Sequence, residues 1–101
     1  MRIYNELNEF ILKIDNNIQR NTTSVYVSYL IDKSFVEVRF QMNNLFITLM
    51  PGEYNDPNQI ISKISDGYRW VNNNKINITP NDDLEYIKDI IKQSFYKSVN
   101  K

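Results

Sequence analysis

The residues that could do chemistry in this chain are aromatic and arginine side chains near predicted strands. Trp70 is the single tryptophan and directly follows Arg69, and Arg39 lies on a strand of alternating polarity. Aromatic rings beside arginines can hold single-stranded bases or a peptide. The candidate binding residues are Tyr26, Tyr29, Arg39, Tyr68, Arg69 and Trp70, with Phe35 as a further aromatic of the set. The alternative is that they are ordinary core and rim aromatics.

Enzyme chemistry is disfavoured by the residue types that the chain lacks. It has no histidine and no cysteine, which removes thiolate zinc sites, cysteine nucleophiles and the Ser-His-Asp relay. With only Gly52 and Gly67, a glycine-rich phosphate loop is not expected. We therefore predict a protein that is not an enzyme and that has no cofactor and no metal.

Carboxylates are the remaining candidates for a site. Asp82, Asp83 and Glu85 suggest a metal cluster, but they lack the alternate spacing and the central glycine of a calcium loop. We interpret this run as the solvated start of a helix. Asp56, which precedes Pro57, is interpreted as an N-cap.

Charge and hydropathy argue against a dedicated nucleic-acid binder and against a membrane protein. The 12 basic and 12 acidic residues balance, whereas a dedicated nucleic-acid binder usually carries a basic excess. No apolar run approaches the roughly 18 residues that span a bilayer, and no signal peptide is recognisable. We expect a cytoplasmic protein with no membrane association.

Three apolar runs in the first half predict an antiparallel meander. They are Val25–Ile31, Phe35–Phe40 and Leu45–Leu49, separated by short polar breaks. On the middle strand, alternation predicts Val36, Val38 and Phe40 toward the core. It predicts the other face for Phe35, Glu37, Arg39 and Gln41.

Helical periodicity predicts elements on either side of the meander. The first helix is expected over Ile3–Ile14, a short second helix over Pro57–Ile64 and a third over Pro80–Val99. Strands are expected at Tyr68–Val71 and Lys75–Thr79. The predicted fold is an α+β two-layer sandwich of order α-β-β-β-α-(β)β-α, a single domain over residues 1–101. Its antiparallel sheet packs against the N- and C-terminal helices.

Several short motifs, in this order, resemble a small bacterial domain of unknown function. They are LNEFIL at 7–12, YVSY at 26–29, KSFVEV at 33–38, DP at 56–57, GYRW at 67–70, DDLEYI at 82–87 and IKQSFY at 91–96. That domain occurs C-terminal to restriction-type or defence-associated nuclease domains and is sometimes labelled a predicted transport protein. The element order is also similar to the MmcQ/YjbR-like double-wing family, whose members are proposed to bind DNA.

The leading functional hypothesis is a non-enzymatic binding module with a protein partner. The resemblance implies an accessory role in bacterial defence or in a mobile element. One alternative is a nucleic-acid-binding domain of the double-wing type that uses Lys33, Arg39, Arg69 and Lys75. Another is a phage-encoded inhibitor of a bacterial nuclease.

Overall fold

Within the residues that the structure describes, two helices pack on an antiparallel sheet, and this is the α+β two-layer arrangement that was predicted. The structure is a computed structural model that describes residues 2–41, 44–64, 72–79 and 82–99. Its elements are α1 (Arg2–Ile14), β1 (Gln19–Thr22), β2 (Tyr26–Leu30), β3 (Ser34–Gln41), β4 (Asn44–Leu49), β5 (Ser62–Lys63), β6 (Asn74–Ile78) and α2 (Leu84–Val99).

The sheet has the order β1-β2-β3-β4-β6-β5, and every neighbouring pair of strands is antiparallel. The predicted meander is confirmed as β2, β3 and β4. β1 precedes it along one edge, and β6 joins it on the other side. The strand that we predicted at Tyr68–Val71 lies outside the described residues.

The core lies between one face of the sheet and the two helices. A row of β-branched residues crosses the four inner strands: Val27 pairs with Val38, Val38 with Ile47, and Ile47 with Ile76. Leu7 and Ile11 of α1 and Ile87, Ile90 and Ile91 of α2 belong to the same buried cluster. Burial of each such side chain contributes about 1.5–3 kcal/mol.

The prediction that Phe35 faces away from the core is wrong. The register between β2 and β3 shifts between Tyr29 and Leu30. Tyr29 pairs with Val36, but the next residue, Leu30, pairs with Ser34, so Phe35 has no partner in β2. Phe35 is therefore an additional residue of a β-bulge, and a bulge reorients its side chain. Its ring is fully buried against Phe95 of α2, edge to face at 5.2 Å.

The predicted helix at Pro57–Ile64 is also wrong. Asp56 does cap the segment, since its carboxylate accepts hydrogen bonds from the N–H groups of Ile60 and Ile61 at 3.2 and 2.9 Å. Gln59 has a positive φ of 55° and its N–H donates to the Asp56 carbonyl. A left-handed residue ends a helical turn, so the chain leaves the turn and enters β5.

Ser94 ties α2 to the bulge of β3 and to the end of β4. Its hydroxyl donates to the Phe35 carbonyl and accepts a hydrogen bond from the Met50 N–H at 3.1 Å. The side chain is fully buried. One hydroxyl therefore satisfies two backbone groups that the irregular strand ends leave over.

We expect Ser94→Ala to lower the free energy of unfolding by about 2 kcal/mol, because it leaves a buried carbonyl and an N–H without a hydrogen bond. Urea unfolding followed by circular dichroism measures the change. The control is Ser98→Ala, which removes a bond only to the Phe95 carbonyl within the same helix. Equal losses in the two variants would show that Ser94 does not have this bridging role.

Candidate functional site

The sheet surface opposite the helices carries two cross-strand rows, which we call the polar face. One row pairs Tyr26 with Arg39, Arg39 with Phe46, and Phe46 with Asn77. The other row runs in the same register through Ser28, Glu37, Thr48 and Lys75. Strand alternation places both rows on the side away from the buried β-branched row.

An ion pair and a hydrogen bond connect the centre of the polar face. Arg39 Nη2 lies 2.7 Å from Glu37 Oε1, and the Thr48 hydroxyl donates to the same oxygen at 3.0 Å. The guanidinium carbon also lies 4.5 Å from the centre of the Tyr26 ring. The side chains of Arg39 and Glu37 are only 16% and 17% exposed. This network is thus more closed to solvent than a surface ion pair.

Lys75 covers the second aromatic ring of the polar face. Its Nζ lies 4.4 Å from the centre of the Phe46 ring, a cation–π geometry. Phe46 is 5% exposed. Because the rings of Tyr26 and Phe46 each carry a cation, a nucleic-acid base that stacked on the same side of either ring would have to displace it.

The structure brings together only part of the predicted binding set. Tyr26 and Arg39 stack on the polar face, whereas Tyr29 lies on the helix side, where its hydroxyl donates to Asn8 Oδ1 at 2.7 Å. Tyr29 is fully buried, and that burial raises the pKa of its phenol. Tyr68, Arg69 and Trp70 lie outside the described residues.

A second surface, which the sequence analysis missed, lies at the β1 edge of the sheet. We call it the edge surface and define it as β1 with Tyr4, Val25 and Phe40. Arg20 Nη2 of β1 donates to the Tyr4 hydroxyl at 2.7 Å, and this bond raises the pKa of Arg20. The Tyr4 ring meets Phe40 edge to face at 5.5 Å. All four residues of β1 are exposed.

Two apolar side chains remain open to solvent on the edge surface. Val25 is 57% exposed and Phe40 is 42% exposed. Phe40 was predicted to face the core. It does lie on the helix side of the sheet, because it pairs with Leu45, which in turn pairs with Ile78. It lies near the end of β3, where Tyr4 covers only part of its ring. The sequence carries no signal of this surface, because Val25 begins an apolar run and only the structure shows that its side chain is exposed.

A small cleft of about 200 Å³ lies between α2 and the Asp56 turn. Several of its polar groups already bond within the fold. The Tyr86 hydroxyl donates to Asp56 and accepts from the Asn58 N–H, and Asp83 Oδ1 accepts from the first N–H groups of α2. Within the described parts of the chain, no group of three or more acidic side chains could hold a metal ion.

The α+β domain described above matches, over residues 1–98, the model of a domain of unknown function, DUF5655, and the chain belongs to that family. It is 33% identical over 95 residues to an uncharacterized protein of Haemophilus influenzae. The match covers 91% of this chain and 32% of that protein, so the chain spans about a third of its length. No solved structure matches.

The comparison bears out the expected domain of unknown function but not its finer details. C-terminal placement and similarity to the double-wing family stay predictions. Neither helix in the described part of the chain is long and apolar enough to cross a membrane.

The Asp56 turn should make stability depend on acid pH. Burial, the largest single influence, raises the pKa of Asp56. The bonds from Tyr86 and from the backbone of Ile61, Ile60 and Gln59 outweigh it and hold the pKa below its ordinary value of 3.8. A lowered carboxylate pKa stabilises the fold above the unfolded pKa, and this contribution is lost as the pH falls through the folded value.

We therefore expect wild-type stability to fall below about pH 4 and this fall to be shallower in Asp56→Asn. Urea midpoints measured at intervals from about pH 6 to pH 3 would show the difference. Asp32→Asn, at an exposed position, is the control. An acid limb of the same slope in wild type and Asp56→Asn would rule out this role for the carboxylate.

Proposed function

We propose that this chain is a non-enzymatic protein-binding module and that its contact surface is the edge surface. The observation that carries the proposal is the open pair Val25 and Phe40 beside Tyr4 and Arg20. Tyrosine and arginine are enriched among the residues that dominate binding energy at protein interfaces, and exposed apolar side chains add area. A sequence without histidine and cysteine supports the non-enzymatic part.

The length of the relative fits a module. Because this chain matches about a third of the Haemophilus influenzae protein, the matched region is one part of a longer chain in that relative. A unit of this kind can contribute contacts rather than catalysis. We place the function in bacterial defence or in a mobile element, as the resemblance implies. A phage-encoded inhibitor of a bacterial nuclease would use the same kind of surface.

The edge surface is a better candidate than the polar face. On the polar face, Phe46 and Thr48 are buried and Arg39 already bonds Glu37. A partner there would have to open an existing network. On the edge surface, β1, Val25 and Phe40 are exposed as the chain folds, so binding requires no rearrangement of the described residues.

A protein partner is also favoured over nucleic acid. Nucleic-acid affinity comes largely from phosphate neutralisation, and this chain has no net charge. The two cations of the polar face, Arg39 and Lys75, lie beside the carboxylate of Glu37 and over aromatic rings. These contacts therefore do not support nucleic-acid binding of the double-wing type.

Affinity capture from the cells that encode the protein tests the proposal. The double variant Arg20→Glu, Val25→Asp alters two exposed side chains of the edge surface, and we expect it to lose a protein that wild type captures in stoichiometric amounts. The matched control is Lys92→Glu, Tyr96→Asp, which makes the same two kinds of change on exposed positions of α2.

The control variant should retain the captured protein. Thermal unfolding of both variants verifies that they fold. If wild type captures no protein, or if the same protein is retained by the edge variant, the proposed contact surface is wrong.

A further inference from the structure

The backbone of β1 has a defined outer edge. The Thr23 N–H donates to the Tyr26 carbonyl at 2.8 Å, so these two residues form a hydrogen-bonded pair at the end of the β1–β2 hairpin. Hydrogen-bonded and non-bonded pairs alternate along antiparallel strands. Asn21 therefore bonds toward Ser28, its register partner, whereas Arg20 and Thr22 direct their N–H and C=O groups away from β2.

The outward-facing residues of β1 carry the chemistry of the edge surface. Arg20 and Thr22 pair with Tyr29 and Val27, so their side chains lie on the helix side of the sheet, as does Phe40. Arg20 makes no ion pair with any carboxylate in the described part of the chain, and its Tyr4 bond holds the guanidinium at the edge. An unneutralised cation, open backbone groups and exposed apolar side chains thus adjoin one another.

We propose that β1 accepts an extended peptide segment of the partner as an added strand. The segment places a carboxylate against Arg20 and, toward the β1–β2 turn, an apolar side chain over Val25 and Phe40. Backbone pairing with Arg20 and Thr22 provides affinity, and the two side-chain contacts provide specificity, as in other cases of strand addition. This inference rests on the proposed function and specifies the chemistry of its partner.

Charge argues for a foreign segment rather than a second copy of this chain. Two β1 strands that paired about a two-fold axis would bring two Arg20 side chains to one short interface. Neither strand contains a carboxylate to neutralise them, since β1 reads Gln-Arg-Asn-Thr. Like charges across a strand pair are destabilising.

Selection from a displayed library of random peptides against the folded wild-type protein tests the inference. We expect the enriched peptides to share an acidic residue and an apolar residue on the same side of an extended segment. Binding of a synthetic enriched peptide is then measured by titration calorimetry. Thr22→Pro removes the outward N–H without touching the bonds between β1 and β2, and we expect it to weaken binding by about tenfold or more.

A charge exchange tests the Arg20 contact independently. Arg20→Glu should weaken binding of the acidic peptide, again by about tenfold, and should bind better to a peptide in which lysine replaces the acid. Thr22→Ala, which keeps the backbone N–H, is the control for Thr22→Pro and should bind as wild type does. Circular dichroism verifies the fold of each variant.

Three results would overturn the inference: no enriched peptide, binding that Thr22→Pro leaves unchanged, or no preference of Arg20→Glu for the lysine peptide. Sedimentation showing a dimer that Thr22→Pro dissociates would identify a second copy as the occupant and would also overturn it. If the cellular partner is lost with the Arg20→Glu, Val25→Asp variant but retained with Thr22→Pro, strand addition fails while the proposed function stands.

Discussion

The structure depends on burying one apolar row, Val27, Val38, Ile47 and Ile76, beneath two helices. Because side chains alternate along a strand, this burial fixes the register of the inner strands and so determines every residue of the opposite face. The polar face follows directly, with Arg39 beside Tyr26 and Lys75 beside Phe46. The edge surface follows as well, since β1 is the outermost strand of the sheet and all four of its residues are exposed.

Periodic burial made much of the fold predictable from the sequence. The apolar stripe of α1 and the alternation of the middle strand each predicted which side of the element is buried, because the periodicity of apolar residues follows the element's geometry. The errors occur where periodicity in the sequence does not correspond to burial or to the type of element. At Phe35 one additional residue changes the phase of alternation. At Pro57–Ile64 the sequence shows an aspartate cap, which can begin either a single turn or a full helix. The left-handed conformation of Gln59, which ends the segment after one turn, is visible only in the structure.

The candidate sites were predictable to different degrees. Tyr26 and Arg39 belong to neighbouring strands and do meet. Tyr29 was placed in the same set, although its odd separation from Tyr26 puts the two on opposite faces of a strand. β1 was not predicted, because its four polar residues are held mainly by backbone pairing and give no hydrophobic signal. The edge surface combines residues distant in sequence, Tyr4, Arg20 and Phe40, which only the fold brings together.

The polar face and the edge surface differ in how many of their side chains already make contacts within the fold. On the polar face, Arg39 and the Thr48 hydroxyl both bond the Glu37 carboxylate, and Lys75 lies over the Phe46 ring. On the edge surface, the Tyr4–Arg20 bond orients a cation toward solvent, and the neighbouring apolar side chains are left open. A surface that is ordered before binding loses less conformational entropy when a partner arrives. This difference is the physical basis for assigning the contact to β1.

Amide hydrogen exchange of the free protein, followed residue by residue by NMR, tests the open edge most directly. The account predicts fast exchange at Arg20 and Thr22, slower exchange at Asn21 between them, and the slowest exchange at Val38 and Ile47 in the inner strands. Protection of Arg20 and Thr22 equal to that of the inner strands would contradict it, because β1 would then have no free edge to offer.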